Sequence, residues 1–394
     1  MDENIQIKRP SVFDDRRAWV SACDTYDSEK VYSVIEQQAE AMGLDKIISP
    51  GCTVVLKPNL VIKRKPEEAS TTHPEVVGAV IRAVKKRGAG KVIIAESGGG
   101  LYNKAVMSAS YNTCGITDVC KREGAELNFD FSDKLIKHPD ALLCHQFNII
   151  TPVIDADVLI NIAKLKTHSM TGYSGAVKNL FGCVPGLMKP ELHCQYPDRS
   201  QFQQMIVDLN TLLKPSAVFI DAIDCMEGDG PTGGSPRHVG AVVAAYNPFA
   251  ADIAASRMIA VDPSKIYMLS HGMEQGLSPN DLSEVELYGD PEALRVADFV
   301  QPKTKSIDFL DRVPAFLRPI ARVGERLIAP RPVINRKKCI GCGKCSESCP
   351  QHTIIFDKSK KAQIIKKDCI KCYCCHEMCP IRAIDIKRQS IFKL

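Results

Sequence analysis

Two runs of cysteines carry the clearest chemistry in this chain. "CIGCGKCSESCP" occupies 339–350 and "CIKCYCCHEMCP" occupies 369–380, and both read C-x2-C-x2-C-x3-C-P. In such a run three closely spaced thiolates hold three irons of a cubane, and the fourth cysteine ligates the other cluster. The expected quartets are Cys339, Cys342, Cys345 and Cys379 for one [4Fe–4S] centre, and Cys369, Cys372, Cys375 and Cys349 for a second. This crossing ties the two halves into one small unit. A structural zinc site would favour two separate C-x2-C pairs. Cys374 is a ninth cysteine in this region and reads as a small apolar filler. Two linked clusters at this spacing move single electrons, to an acceptor that the tail alone does not name.

Further candidates lie in the body, where polar and glycine-rich residues follow apolar runs. In "AKLKTHSMTGYSGAVKNLFG" (163–182), Lys164, Lys166 and His168 alternate, so an extended chain points all three the same way. Three potential cations at a strand end suggest an anionic ligand. Gly172 and Gly175 then lead toward Lys178 and Asn179, and a glycine turn before a helix presents N–H groups to an anion. The alternative is a solvated strand end with an ordinary turn. "ESGGG" (96–100) places Gly98 and Gly99 after a strand, open to a close ligand approach or simply mobile. It lacks the spacing of a dinucleotide fingerprint or a P-loop. "DAIDCMEGDGPTGGSPRHVG" (221–240) sets Asp221, Asp224, Glu227 and Asp229 beside Gly228, Gly230, Gly233 and Gly234. These carboxylates suit a divalent cation, or equally plain turn chemistry. "LKPNL" places Lys57 and Asn59 on one strand face, and His73 reads as a capping residue. Cys114 would be reactive if it opened a helix over 114–123, against the blander reading of a buried thiol.

The elements that must position these residues alternate. Strand-like runs occur at 53–59, 91–97, 147–150, 157–163, 217–223 and 239–245. Helical periodicity covers 74–88, 200–214 and 248–261, the first opened by a Thr72–Glu75 capping box and ended by Gly88. Apolar strands alternating with helices imply an α/β body, its mainly parallel sheet covered by helices on both faces. Ligands of such sheets sit at the carboxyl edge. The expected domains are the body at 1–302, a Pro-rich basic connector at 303–332 and a small α+β cluster domain at 333–394. Regularly spaced apolar residues in the connector read as a kinked stripe packed on the body rather than a membrane-surface helix, because internal prolines break it.

Charge is unevenly placed. Residues 333–394 hold fourteen Lys/Arg and five Asp/Glu, whereas 1–302 hold thirty and thirty-eight. Two oxidised clusters with their thiolates subtract about four charges and leave the tail basic. The expectation is a basic tail docked on an acidic body. Scattered lysines and few aromatics argue against nucleic-acid binding. No signal peptide or membrane-spanning run is evident, and of the 17 cysteines the eight in 1–332 have no paired spacing, which suggests a reducing cytoplasm.

The tail resembles the bacterial two-cluster ferredoxin domain over roughly 333–390. The body resembles a prokaryotic family known only as domain of unknown function 362, through "LKPNL", "TTHPEVV", "INIAKLKTH", "GAVKNLFG", "EGDGPTGG" and "AAYNPFAADIAA". That resemblance covers nearly all of 1–300, and members often carry this same tail. It implies a shared site of Lys164, Lys166, His168, Lys178, Asn179, Glu227, Gly230, Pro231 and Gly233, with Asp252, and assigns them no roles. The leading expectation is an oxidoreductase. A redox partner protein or reductant feeds its clusters, and a small anionic substrate or cofactor binds the body. The alternatives are an electron carrier with a docking body, and a non-redox enzyme with regulatory or structural clusters.

Overall fold

The computed structural model describes residues 7–304 and 329–387. The apolar stripe expected in the connector lies largely outside the described residues. The body is organised by β1 (Arg17–Ala22), β2 (Thr53–Pro58), β3 (Lys91–Ile94), β4 (Glu126–Leu127), β5 (Asp133–Lys137), β6 (Gln146–Ile150), β7 (Val158–His168), β8 (Gly172–Ser174), β9 (Ala217–Glu227), β10 (Ser235–Ala245) and β11 (Glu286–Tyr288). Nine of these form one sheet in the order β11-β1-β10-β9-β7-β2-β3-β4, with β8 paired to β7. The sheet is mostly parallel. Strands β9, β7, β2, β3 and β4 run parallel to their neighbours, while β10 lies antiparallel to both β9 and β1.

Connection length explains the departures from an all-parallel sheet. A parallel crossover needs a dozen or more residues, and only a short turn separates β9 from β10. The same limit acts on β6. The strand expected at 147–150 forms, but it ends too close to β7 to cross over, and it pairs with β5 in a separate hairpin.

Helices cover both faces. Ser28–Met42, Pro74–Lys86 and Ile116–Glu123 pack on one side, and Arg199–Leu213, Pro248–Met258 and Tyr267–Glu274 on the other. The expected capping box at Thr72 does not form. His73 is the N-cap instead, its ring accepting from Glu75 N, and the Thr72 hydroxyl donates to Ile162 O at 2.8 Å.

The small C-terminal domain is α+β: β12 (Arg331–Ile334) with β15 (Ile384–Lys387), β13 (Ile354–Phe356) with β14 (Ala362–Ile364), and single-turn helices at Lys344–Glu347 and Cys374–Glu377. It packs on the body through Tyr373 and Ile386, which join the body's core. Arg64 donates to Pro380 O at 2.9 Å and Cys379 O at 3.1 Å. The Thr232 hydroxyl donates to Glu377 O at 2.8 Å. Docking therefore relies chiefly on main-chain hydrogen bonds and packing. Arg382–Glu68, at 2.9 Å, joins a tail cation to a body carboxylate, but Lys337, Lys338, Lys358, Lys360, Lys366 and Lys367 face solvent. The basic surplus points outward, which corrects the picture of a tail held by opposite charge.

Arg64→Ala removes both main-chain bonds and leaves two carbonyls unpaired at the boundary, a loss of about 1–3 kcal/mol. The expected outcome is faster amide exchange across 374–386 with the body's protection unchanged. Unchanged tail protection would mean that Tyr373 and Ile386 suffice.

Candidate functional site

The eight cysteines of the two runs line two cavities. Cys339, Cys342, Cys345 and Cys379 line one cavity, together with Ile340, Phe356 and Ile384. Cys349, Cys369, Cys372 and Cys375 line another, with Ile354 and Tyr373. Each quartet takes its fourth member from the other run. Among the described residues no three such side chains converge on a single-ion position. Zinc needs sulfurs converging at about 2.3 Å, whereas a cubane is held at its corners. The residues therefore fit iron–sulfur clusters.

A larger cavity opens where the tail meets the carboxyl edge of the sheet. Lys57 comes from the end of β2, Glu96 from the turn after β3, and Lys166 and His168 from the end of β7. Lys178 and Asn179 lie on helix Ala176–Asn179, and Lys189 and His193 one turn apart on helix Met188–Gln195. The tail supplies Ser348, Cys374, Glu377 and Met378. All eleven residues of β7 are buried, so its polar side chains must find partners or remain costly.

Four lysines, two histidines and two carboxylates thus share one cavity. Glu96 pairs with Lys57, whose Nζ also donates to Asn179 Oδ1 at 3.0 Å. Lys166 has neutral acceptors only, Asn59 Oδ1 at 2.8 Å and Ser70 O at 2.6 Å. Lys189 bonds Ser97 O at 2.6 Å and Gly98 O at 3.2 Å. Burial, reinforced by neighbouring lysines, drives Lys166 well below the ordinary lysine value and brings Lys189 down to about 7. Lys178 is also lowered, chiefly by burial. His168 Nδ1 accepts from Met170 N at 3.1 Å. A neutral ring therefore carries its proton on Nε2, which lies 3.4 Å from Glu377 Oε1. Neither of those two atoms has a hydrogen-bond partner, and His193 Nδ1 also lacks one. The cavity thus gathers four lysines against two carboxylates, with several polar atoms lacking a hydrogen-bond partner among the described residues.

Not every expected residue reaches it. Lys164 lies outside the lining residues: its Nζ is 2.8 Å from Asp221 Oδ2 and 2.9 Å from the Tyr26 hydroxyl. The register shift between Lys164 and Lys166 separates the two positions. Gly99 lines the cavity and abuts the tail, where an added Cβ would sit 2.5 Å from Met378 Sδ. Gly98 contributes only its carbonyl to Lys189. Gly233 packs against His376, where a Cβ would lie 2.6 Å from the ring. The Gly230 carbonyl accepts from Ser169 N at 2.9 Å, and Glu227 accepts from Val300 N at 3.0 Å. Pro231 reaches the cavity.

The anion expected at the glycine turn is supplied internally. Ala176 N and Val177 N donate to the Asp252 carboxylate at 2.6 and 2.9 Å, and burial raises that carboxyl to about 7. The carboxylates after β9 hold no shared cation position among the described residues. Asp224 meets His238 at 2.8 Å and Asp229 meets Lys303 at 2.7 Å. Cys114 caps the end of helix Lys104–Thr113 and is fully buried, so its thiol is pushed up rather than activated.

Lys189, His193, Glu377 and Met378 were not anticipated. The basic pair four residues apart on one helix was a usable signal for the first two. Cys374, expected as inert filler, is part of the cavity wall.

The family described as Domain of unknown function (DUF362) matches residues 54–257, and a 4Fe-4S dicluster domain matches 332–386. The chain belongs to the DUF362 family and carries an iron–sulfur electron-transfer domain. It is 30% identical over 288 residues to the Thylakoid-associated protein sll1697 of Synechocystis sp., covering 72% of this chain and 88% of that protein. A crystal structure of a Thermotoga maritima protein matches 60% of each chain at 12% identity, with a TM-score of 0.36. Among the described residues no helix is long and apolar enough to cross a membrane.

Lys189 gives the site a pH signature. With burial bringing it down to about 7, its ammonium is charged below that pH and neutral above it. Phosphate affinity is therefore expected to fall by up to about tenfold per pH unit above that value, with nearly one proton taken up on binding at pH ~8. Calorimetry in two buffers of different ionisation heat measures this. PH-independent binding without proton uptake would remove Lys189 from the site.

Proposed function

We propose that this protein is an oxidoreductase in which two [4Fe–4S] clusters, held by the two cysteine quartets, serve an anionic substrate or cofactor in the lysine-lined cavity. One observation carries the reading: the surplus of buried cations converges on a space whose wall is the cluster-binding tail itself. When bound, the clusters supply single electrons, delivered by a protein partner or another reductant. Lys166 and Lys178 hold the anion, and Asn179 braces Lys57 beside it. His168 offers its Nε2–H as a hydrogen-bond donor to the bound anion. Cys374 and Met378 close the wall and exclude water, which strengthens each charge interaction inside.

A body that merely docked a carrier would have no use for uncompensated lysines, which cost stability where they stand. In this reading 1–302 is the substrate-binding part and 333–394 the electron-delivering part. We place the protein in a reducing cytoplasm; the thylakoid association in the relative's name is compatible with a protein on that side of a membrane.

The test is anaerobic reoxidation of the reduced holoprotein by candidate anionic acceptors, followed by cluster absorbance. Lys178→Gln is expected to raise the KM for a productive acceptor by about 10- to 100-fold, the loss of one charge-assisted contact, with an unchanged cluster spectrum. Reoxidation that ignores both the acceptor and the substitution would overturn the proposal.

A further inference from the structure

We propose that the electron donor is an acidic redox protein that docks on the outer face of the tail, around Cys342. The inference rests on the electron-transfer reading above but concerns a different surface. The tail has two unlike sides. Its inner side, with Ser348, Cys374, Glu377 and Met378, forms the cavity wall. Ser348 and Cys374 directly adjoin Cys349 and Cys375, members of one quartet, while Met378 adjoins Cys379 of the other. The other quartet reaches the outside, since its Cys342 is exposed.

The surface around Cys342 has the composition of a docking patch. Ile340 is 64% exposed, Phe356 40% and Ile381 37%, and all three line the cavity of that quartet. Lys337, Lys338 and Lys360 stand beside them, exposed and joined to no carboxylate among the described residues; the Lys360 main chain lies directly against Gly341. The nearby acids are already engaged, Asp357 by Arg336 and Glu347 by Lys344. A small apolar centre ringed by unpaired lysines fits a partner with an apolar centre and a carboxylate rim. Electron transfer weakens steeply with distance, so a partner profits from seating on the quartet that reaches the surface. Three separate apolar side chains form too small an area for insertion into a lipid surface.

The test uses anaerobically purified holoprotein, with an acidic bacterial ferredoxin as the probe. Binding is followed by surface plasmon resonance at low and high salt. The native protein is expected to bind, and to bind less as salt rises. Combined Lys337→Glu, Lys338→Glu and Lys360→Glu should lower the association rate by about tenfold or more. Reversal of Lys366 and Lys367, beside the other quartet, should change it by less than about twofold. Cluster absorbance and phosphate binding in the cavity should be unaffected by either set. No binding by the native protein, an unchanged rate in the triple variant, or an equal loss in the Lys366/Lys367 variant overturns the proposal. So does selective capture by phosphatidylglycerol vesicles instead of the ferredoxin. Failure of phosphate to bind while the ferredoxin result holds would count against the cavity's function and leave this docking face standing.

Discussion

Excess positive charge buried where β7 meets the tail is the constraint around which the molecule is arranged. Lysine is rarely buried without a partner, because removing its ammonium from water costs several kcal/mol unless another charge or a full set of acceptors replaces the solvent. This chain buries four lysines in one region, half-buries a fifth, Lys178, and sorts them. Lys164 and Lys57 receive carboxylates of their own, Asp221 and Glu96. Lys166 and Lys189 receive only neutral oxygens. Lys178 lies near the face of Phe181, at 5.6 Å from the ring centroid. The paired lysines stabilise the sheet edge, and the others leave a positive cavity that an anion can satisfy.

The tail completes the cavity as well as bringing the cysteines to it. Glu377 and Met378 sit in the same short run as Cys375 and Cys379, so binding a cluster and shaping the cavity are one structural event. Glycines at the seam make this closeness possible. At Gly99 and Gly233 a β-carbon would collide with Met378 or His376, and the tail would be pushed off. Main-chain bonds from Arg64 and Thr232 set its position without using the exposed Lys337, Lys338 and Lys360.

Much of this was legible in the residues, for identifiable reasons. The cysteine quartets follow from local spacing, and the apolar strands from runs too hydrophobic for anything but a covered sheet. Lys166 and His168 were legible as a pair, since their alternation puts them on one side of β7, and both line the cavity. The role of Lys164 was hidden, because Asp221 neutralises it from another strand and a register shift sets it apart. Helix N-termini are also ambiguous in sequence. The turn at Gly175 reads as an open anion site, yet Asp252, far along the chain, already occupies its N–H groups. The wall residues Glu377 and Met378 were invisible because nothing local reveals which face of a small domain will dock.

Anomalous diffraction at the iron edge from crystals of anaerobically purified protein tests the central claim most directly. Iron density is expected inside both cysteine quartets, with an anionic ligand in contact with Lys166, Lys178 and Lys189. A cavity holding only water or a neutral molecule, or a tail whose quartets contain zinc, would contradict it.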